Sequence, residues 1–168
     1  MNDDEYYDSE EYDNSTNKVY ANEYTSILNA FFENAIKPIF KNKPINRALL
    51  EDTICELDCK IRNPEFESLP FKLKDAYQRL RNFAEILDNS EDNEIKYQSE
   101  ILEGLYDLAS RCYYSEDEIV HIGKRNPCRN EQYRARAKIT EVKKNFGETR
   151  LVLVASAMVD ICRLCPHR

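Results

Sequence analysis

The sequence predicts an all-α, single-domain bundle of about six or seven helices, and three observations carry that prediction. Apolar residues recur at three- and four-residue spacing through most of the chain, which is the signature of one-sided helices. The 168 residues hold only three glycines, Gly104, Gly123 and Gly147, each isolated. Hairpin turns prefer residues that tolerate positive φ, so such scarcity argues against a sheet-rich fold. Hydrophobic residues make up 42% and charged residues 33%, enough of the first for a core and of the second for solvated helix faces.

Residues 1–14 read as an acidic, Tyr-rich tail, and 15–168 as the helical domain. The stretch DDEYYDSEEYD carries seven carboxylates and no base, with too little aliphatic content for a core, so a disordered leader is expected. The first helix is expected to start after Ser15/Thr16 and run to about Ile36. Tyr24, Ile27, Leu28, Phe31, Phe32, Ala35 and Ile36 give it a wide apolar stripe. Phe31, Phe32, Ile36, Ile39 and Phe40 together offer more apolar surface than one core face needs, which suggests an oligomer contact. Pro38 and Pro44 bracket a connector, with Pro44 in the first turn of the second helix. Leu50, Ile54, Leu57 and Ile61 line that helix, and Asn63-Pro64 stops it.

Ser68 is placed to cap the third helix, with Pro70 in its first turn. Leu73, Tyr77, Leu80, Phe83, Ala84 and Leu87 follow at helical spacing. After Asn89-Ser90, a fourth helix lines up Ile101, Leu102, Leu105, Leu108, Ala109 and Cys112. SEDE (115–118) has the form of a capping box before a short helix ending near Gly123, and KRNPC is a turn. The sixth helix covers roughly 129–145, turns Ala135, Ile139, Val142 and Phe146 inward, and ends at Gly147. The last element, 149–164, is apolar except for a narrow polar stripe, as in a helix buried on most sides. Its opening, RLVLV, is also compatible with a strand.

Charge is distributed unevenly. Residues 14–120 hold 13 basic and 20 acidic groups, whereas 121–168 hold 11 basic and 4 acidic groups. Within the basic segment 124–150, Arg129, Arg136 and Lys143 fall seven residues apart, about 10 Å per step along one helix face. Tyr133, Thr140 and Lys144 lie beside that line, and Arg125 extends it if the helix starts earlier. Such a face suits an acidic protein surface or nucleic-acid phosphates, with Tyr133 able to stack on an unpaired base. It also suits plain solvation of an outer helix face. The acidic leader is a rival ligand for it inside the same chain, and the leader's tyrosines sit in a context open to phosphorylation.

Six cysteines and two histidines bound the chemistry. Cys55 and Cys59, one turn apart, read as small buried hydrophobes. Cys162, Cys165 and His167, with Cys128, are weak zinc candidates, because a structural site normally shows two close ligand pairs and only one is present. No cofactor is expected, and no catalytic constellation is found: a pair such as Cys112 and His121 has nothing to activate it. Isolated glycines rule out a phosphate-cradling loop.

The triplet Asn145-Phe146-Gly147 before an apolar helix resembles the lead-in to the central helix of Bcl-2-like proteins. Glu148 stands where that family has arginine, so no residue role is carried over. Tyrosine, asparagine and lysine usage suggests an AT-rich genome, as in a viral accessory protein. The first twenty residues contain no apolar run, so a cytoplasmic or nuclear protein without a membrane segment is expected. The expected function is a non-enzymatic interaction or regulatory protein that binds a protein partner through a bundle surface, with homo-oligomers allowed. The alternative is a nucleic-acid-binding regulator using 124–150.

Overall fold

Helix succeeds helix along the whole described chain. A computed structural model of the protein describes residues 2–110 and 129–160, with side chains for 16–109 and 130–159. The helices are α1 (Asn2–Phe31), α2 (Lys37–Phe40), α3 (Arg47–Arg62), α4 (Phe71–Asp88), α5 (Asp92–Tyr97), α6 (Ser99–Ser110), α7 (Arg129–Phe146) and α8 (Arg150–Asp160). No strand occurs among the described residues, and RLVLV is helical.

The first helix starts at Asn2, ahead of the start expected after Ser15/Thr16. Neither proline nor glycine interrupts the chain before Pro38, and carboxylates near a helix N-terminus complement its dipole. A π-helical turn, Phe32–Ile36, follows, so Pro38 lies inside α2 and not in a connector. A proline ring clashes with the carbonyl four residues back, and a widened turn just before it relieves that clash. Asn42, at φ 70°, then ends the helix, as asparagine can, with the Lys43 N–H returning to the Pro38 carbonyl at 2.9 Å.

Pro44 stands outside α3, whose cap is Asn46: its Oδ1 accepts from the Leu49 N–H at 3.2 Å. Ser68 likewise does not cap α4. It closes a short 3-10 turn, Pro64–Ser68, and its hydroxyl donates to the Glu65 carbonyl at 2.7 Å.

The core forms where α4 meets its neighbours. Leu73, Tyr77, Leu80, Phe83, Ala84 and Leu87 are all buried, as their spacing predicts, with Ala76 added. Tyr77 receives the edges of Tyr20, Tyr24 and Phe66, and its hydroxyl donates to the Tyr20 carbonyl at 2.5 Å. Phe83 stacks on Phe32 at 5.8 Å and meets Phe31 edge-on at 5.9 Å. The apolar surplus of the first helix is thus consumed inside the chain. Phe31, Phe32, Ile36 and Ile39 are buried, and Phe40 is half-buried against Tyr106, so they form no oligomer surface. Helix α3 lies along α4, α8 packs on its other side, and α6 carries α7.

Helix α8 is less enclosed than its composition predicts. Leu151, Val152, Ala155, Met158 and Val159 are buried, but Leu153 is 53% exposed. Its start is fixed by Thr149, whose Oγ1 accepts from the Val152 N–H at 3.1 Å and donates to buried Gln98 Oε1 at 2.7 Å. No described helix is long and apolar enough to cross a membrane. The expected capping box at 115–118, its short helix and the KRNPC turn lie outside the described residues.

Candidate interface on α7

Helix α7 turns Ala135, Ile139 and Val142 into the bundle, against α6 and α8. Gly104 of α6 makes that approach close. A Cβ at Gly104 would stand 3.3 Å from the Ala135 Cα and 3.2 Å from the Lys138 side chain. Gly147 ends α7 at φ 82°, a conformation glycine adopts without strain, with its N–H on the Lys143 carbonyl at 2.8 Å.

The opposite face of α7 looks into solvent. Tyr133 is 77% exposed, Arg134 and Ala137 beside it are exposed as well, and Thr140 and Lys144 follow in the open about two and three turns on. Tyr133, Arg136, Thr140, Glu141 and Lys144 line a shallow depression of about 600 Å³. Thr140 Oγ1 donates back to the Arg136 carbonyl at 2.9 Å, so its hydroxyl faces the helix backbone.

The expected line of Arg129, Arg136 and Lys143 is only partly realised. Arg136 is half-buried, and Lys143, although exposed, lies outside the depression with its Nζ 3.9 Å from Glu148 Oε1. A seven-residue step falls about 20° short of two helical turns, so the line drifts toward the buried side. Arg129 is the first residue of α7 with its side chain outside the described residues, and Arg125 lies outside them altogether. Arg134 was missed because it breaks the seven-residue spacing.

Phe146 was expected inside. It is 51% exposed and tilts against the still more open Tyr97 ring, centroids 6.5 Å apart. The last residue of a helix keeps its periodic position but has run past the neighbours that would cover it. An aromatic pair therefore stands in water at the C-terminal end of α7.

Cys55 and Cys59 are also exposed, not packed. Each lies two residues from buried Leu57, which on a 3.6-residue helix places it about 160° away. Among the described residues no group of three or more His, Cys, Asp or Glu side chains is arranged to hold a metal ion. The zinc candidates Cys128, Cys162, Cys165 and His167, and the pair Cys112 and His121, lie outside those residues.

A polar cluster elsewhere joins an i,i+4 pair, Glu33 and Lys37, to Tyr106, which is distant in the chain and has no sequence signal toward them. Tyr106 Oη donates to Glu33 Oε2 at 2.6 Å, and Lys37 Nζ lies 3.3 Å from Glu33 Oε1. The Tyr106 hydroxyl first, then Lys37, hold the Glu33 carboxyl below its ordinary range. The cluster ties the π turn to α6 and leaves α7 untouched. No protein-family model matches the chain, and no curated protein or solved structure matches it either.

Proposed function

We propose that the chain is a non-enzymatic interaction protein of regulatory type whose α7 face binds an acidic surface on a protein partner. The observation that carries this reading is Tyr133, a large ring held in solvent between cations and small side chains. Tyrosine and arginine are the side chains most enriched where protein interfaces concentrate their energy. Ala137 and Thr140 keep the surroundings of the ring low enough for a partner to reach it.

A second reading, nucleic-acid binding, uses the same ring as a stacking platform and the same cations for phosphates. Two carboxylates weigh against it: Glu141 in the lining of the depression and Glu148 beside Lys143. The phosphates of a nucleic-acid backbone set only acceptors against these carboxylates, whereas an acidic protein segment also carries hydroxyl donors.

Affinity capture with and without nuclease separates the two readings. A protein partner that survives nuclease and is lost with Tyr133→Ala supports the first, with affinity falling about tenfold or more. Loss of all partners on nuclease treatment, with steep salt dependence of RNA or DNA binding, replaces it with the second.

A further inference from the structure

The chain carries both halves of a charge-complementary pair. Residues 3–13 hold seven carboxylates and no cation, and α1 takes in their backbone from Asn2. Helix α7 holds Arg129, Arg134, Arg136, Lys143 and Lys144, with Arg134, Lys143 and Lys144 exposed. Lys138 lies 4.0 Å from Glu103 of α6 and Lys143 3.9 Å from Glu148, which leaves Arg134 and Lys144 as the exposed cations the proposal uses. The two stretches are of comparable reach. At 1.5 Å per residue the leader spans about 15 Å and Arg129–Lys144 about 22 Å.

Among the described residues the helices that carry them do not pack along one another. Helix α1 packs on α3, α4, α6 and the π turn, and makes no extended contact with α7. It is one uninterrupted helix of 30 residues, so its N-terminal part cannot fold back while the helix holds. Tyr20 is the first buried residue on it among the described side chains.

We propose that the acidic leader of one copy docks on the α7 face of a second copy. This rests on reading α7 as a face for acidic partners and names the partner. The chain's net charge of −7 opposes any self-association, but that repulsion acts over long distances. At about 0.1 M salt the screening length is about 10 Å, so distant repulsion fades while charges in contact still attract. Reciprocal exchange of leaders closes a two-fold dimer, and one-way exchange builds a growing chain.

Sedimentation velocity on the full chain tests this. The protein should associate at about 100 mM NaCl and weaken at least about tenfold by about 500 mM. Two variants should each stay monomeric: a chain lacking residues 2–13, and Arg134→Glu/Lys144→Glu. Mixed in equal amounts they should form a one-to-one complex, because the first keeps α7 and the second keeps the leader. Asp3→Asn/Asp4→Asn/Glu5→Gln/Asp8→Asn serves in place of the deletion if that chain does not fold. A wild-type chain that is monomeric throughout, or a leaderless chain that associates as strongly, overturns the proposal. Poly-L-glutamate then separates the two failures. Binding by the leaderless chain but not by the charge-reversed one leaves the α7 reading standing without the second copy. Binding by neither removes both.

Discussion

Helices α4 and α7 are both 18 residues long, yet they are put to opposite uses. Helix α4 buries Leu73, Ala76, Tyr77, Leu80, Phe83, Ala84 and Leu87, whereas α7 buries Ala135, Ile139 and Val142. Their cations differ in the same sense. On α4, Arg79 Nη1 donates to the Ala157 carbonyl at 2.7 Å, and Arg81 Nε lies 2.9 Å from Asp58 Oδ1. The Asp58 hydrogen bond holds the Arg81 guanidinium above even its usual high range. On α7, Lys143 and Lys144 stand in water. The first helix spends its side chains on the fold. The second needs only a narrow seam to stay seated, which leaves most of its surface for recognition.

The comparison breaks most visibly at Phe83. Its ring is fully buried between Phe31 and Phe32, where α1 and the π turn meet α4. Phe83→Ala should cost about 3–5 kcal/mol, from lost burial plus the cavity left behind. Urea denaturation followed by circular dichroism reads it as a lower midpoint at similar slope. A cost near 1 kcal/mol would mean that the site collapses freely and that α4 is not the central pillar.

An intermediate effect is expected at Arg79. Arg79 of α4 reaches across to α8, and its bond to the Ala157 carbonyl links the two helices. Arg79→Ala should destabilise by about 1–2 kcal/mol. Amide exchange should quicken first in α8 around Ala157, leaving α3 protected. Uniform acceleration across the bundle would show that the bond is not local to α8.

How much of this the sequence announces depends on how many neighbours a residue has. The stripe from Leu73 to Leu87 is read correctly because every member packs along a full helix face, where period 3.6 decides burial. Gly147 is legible for a local reason, its positive φ. Phe146 keeps the same periodicity and fails, since a helix end outruns its cover. Pro38 fails because the chain answers it with a π turn instead of a break. Cys55 and Cys59 were misjudged by residue type alone, although their angle to Leu57 already placed them outside. In the candidate site, Tyr133 and Lys144 are found where the pattern puts them. Arg134 escapes it, and Tyr106 joins the i,i+4 pair Glu33 and Lys37 through tertiary placement that no spacing encodes.

The smallest effect on stability is the most informative about α7. Tyr133 buries little of its ring, and Lys143 has only a loose partner in Glu148, so neither contributes much to the folded state. An exposed ion pair at that distance is worth little, because water and salt screen it and two flexible side chains must be held in place. Tyr133→Ala and Lys143→Ala should each leave the urea midpoint within about 0.5 kcal/mol of the parent. Tyr133→Ala should nevertheless reduce partner affinity, which separates recognition from folding on a single helix. A large loss of stability from Tyr133→Ala would place the ring in the core economy of α7 and dissolve the contrast with α4.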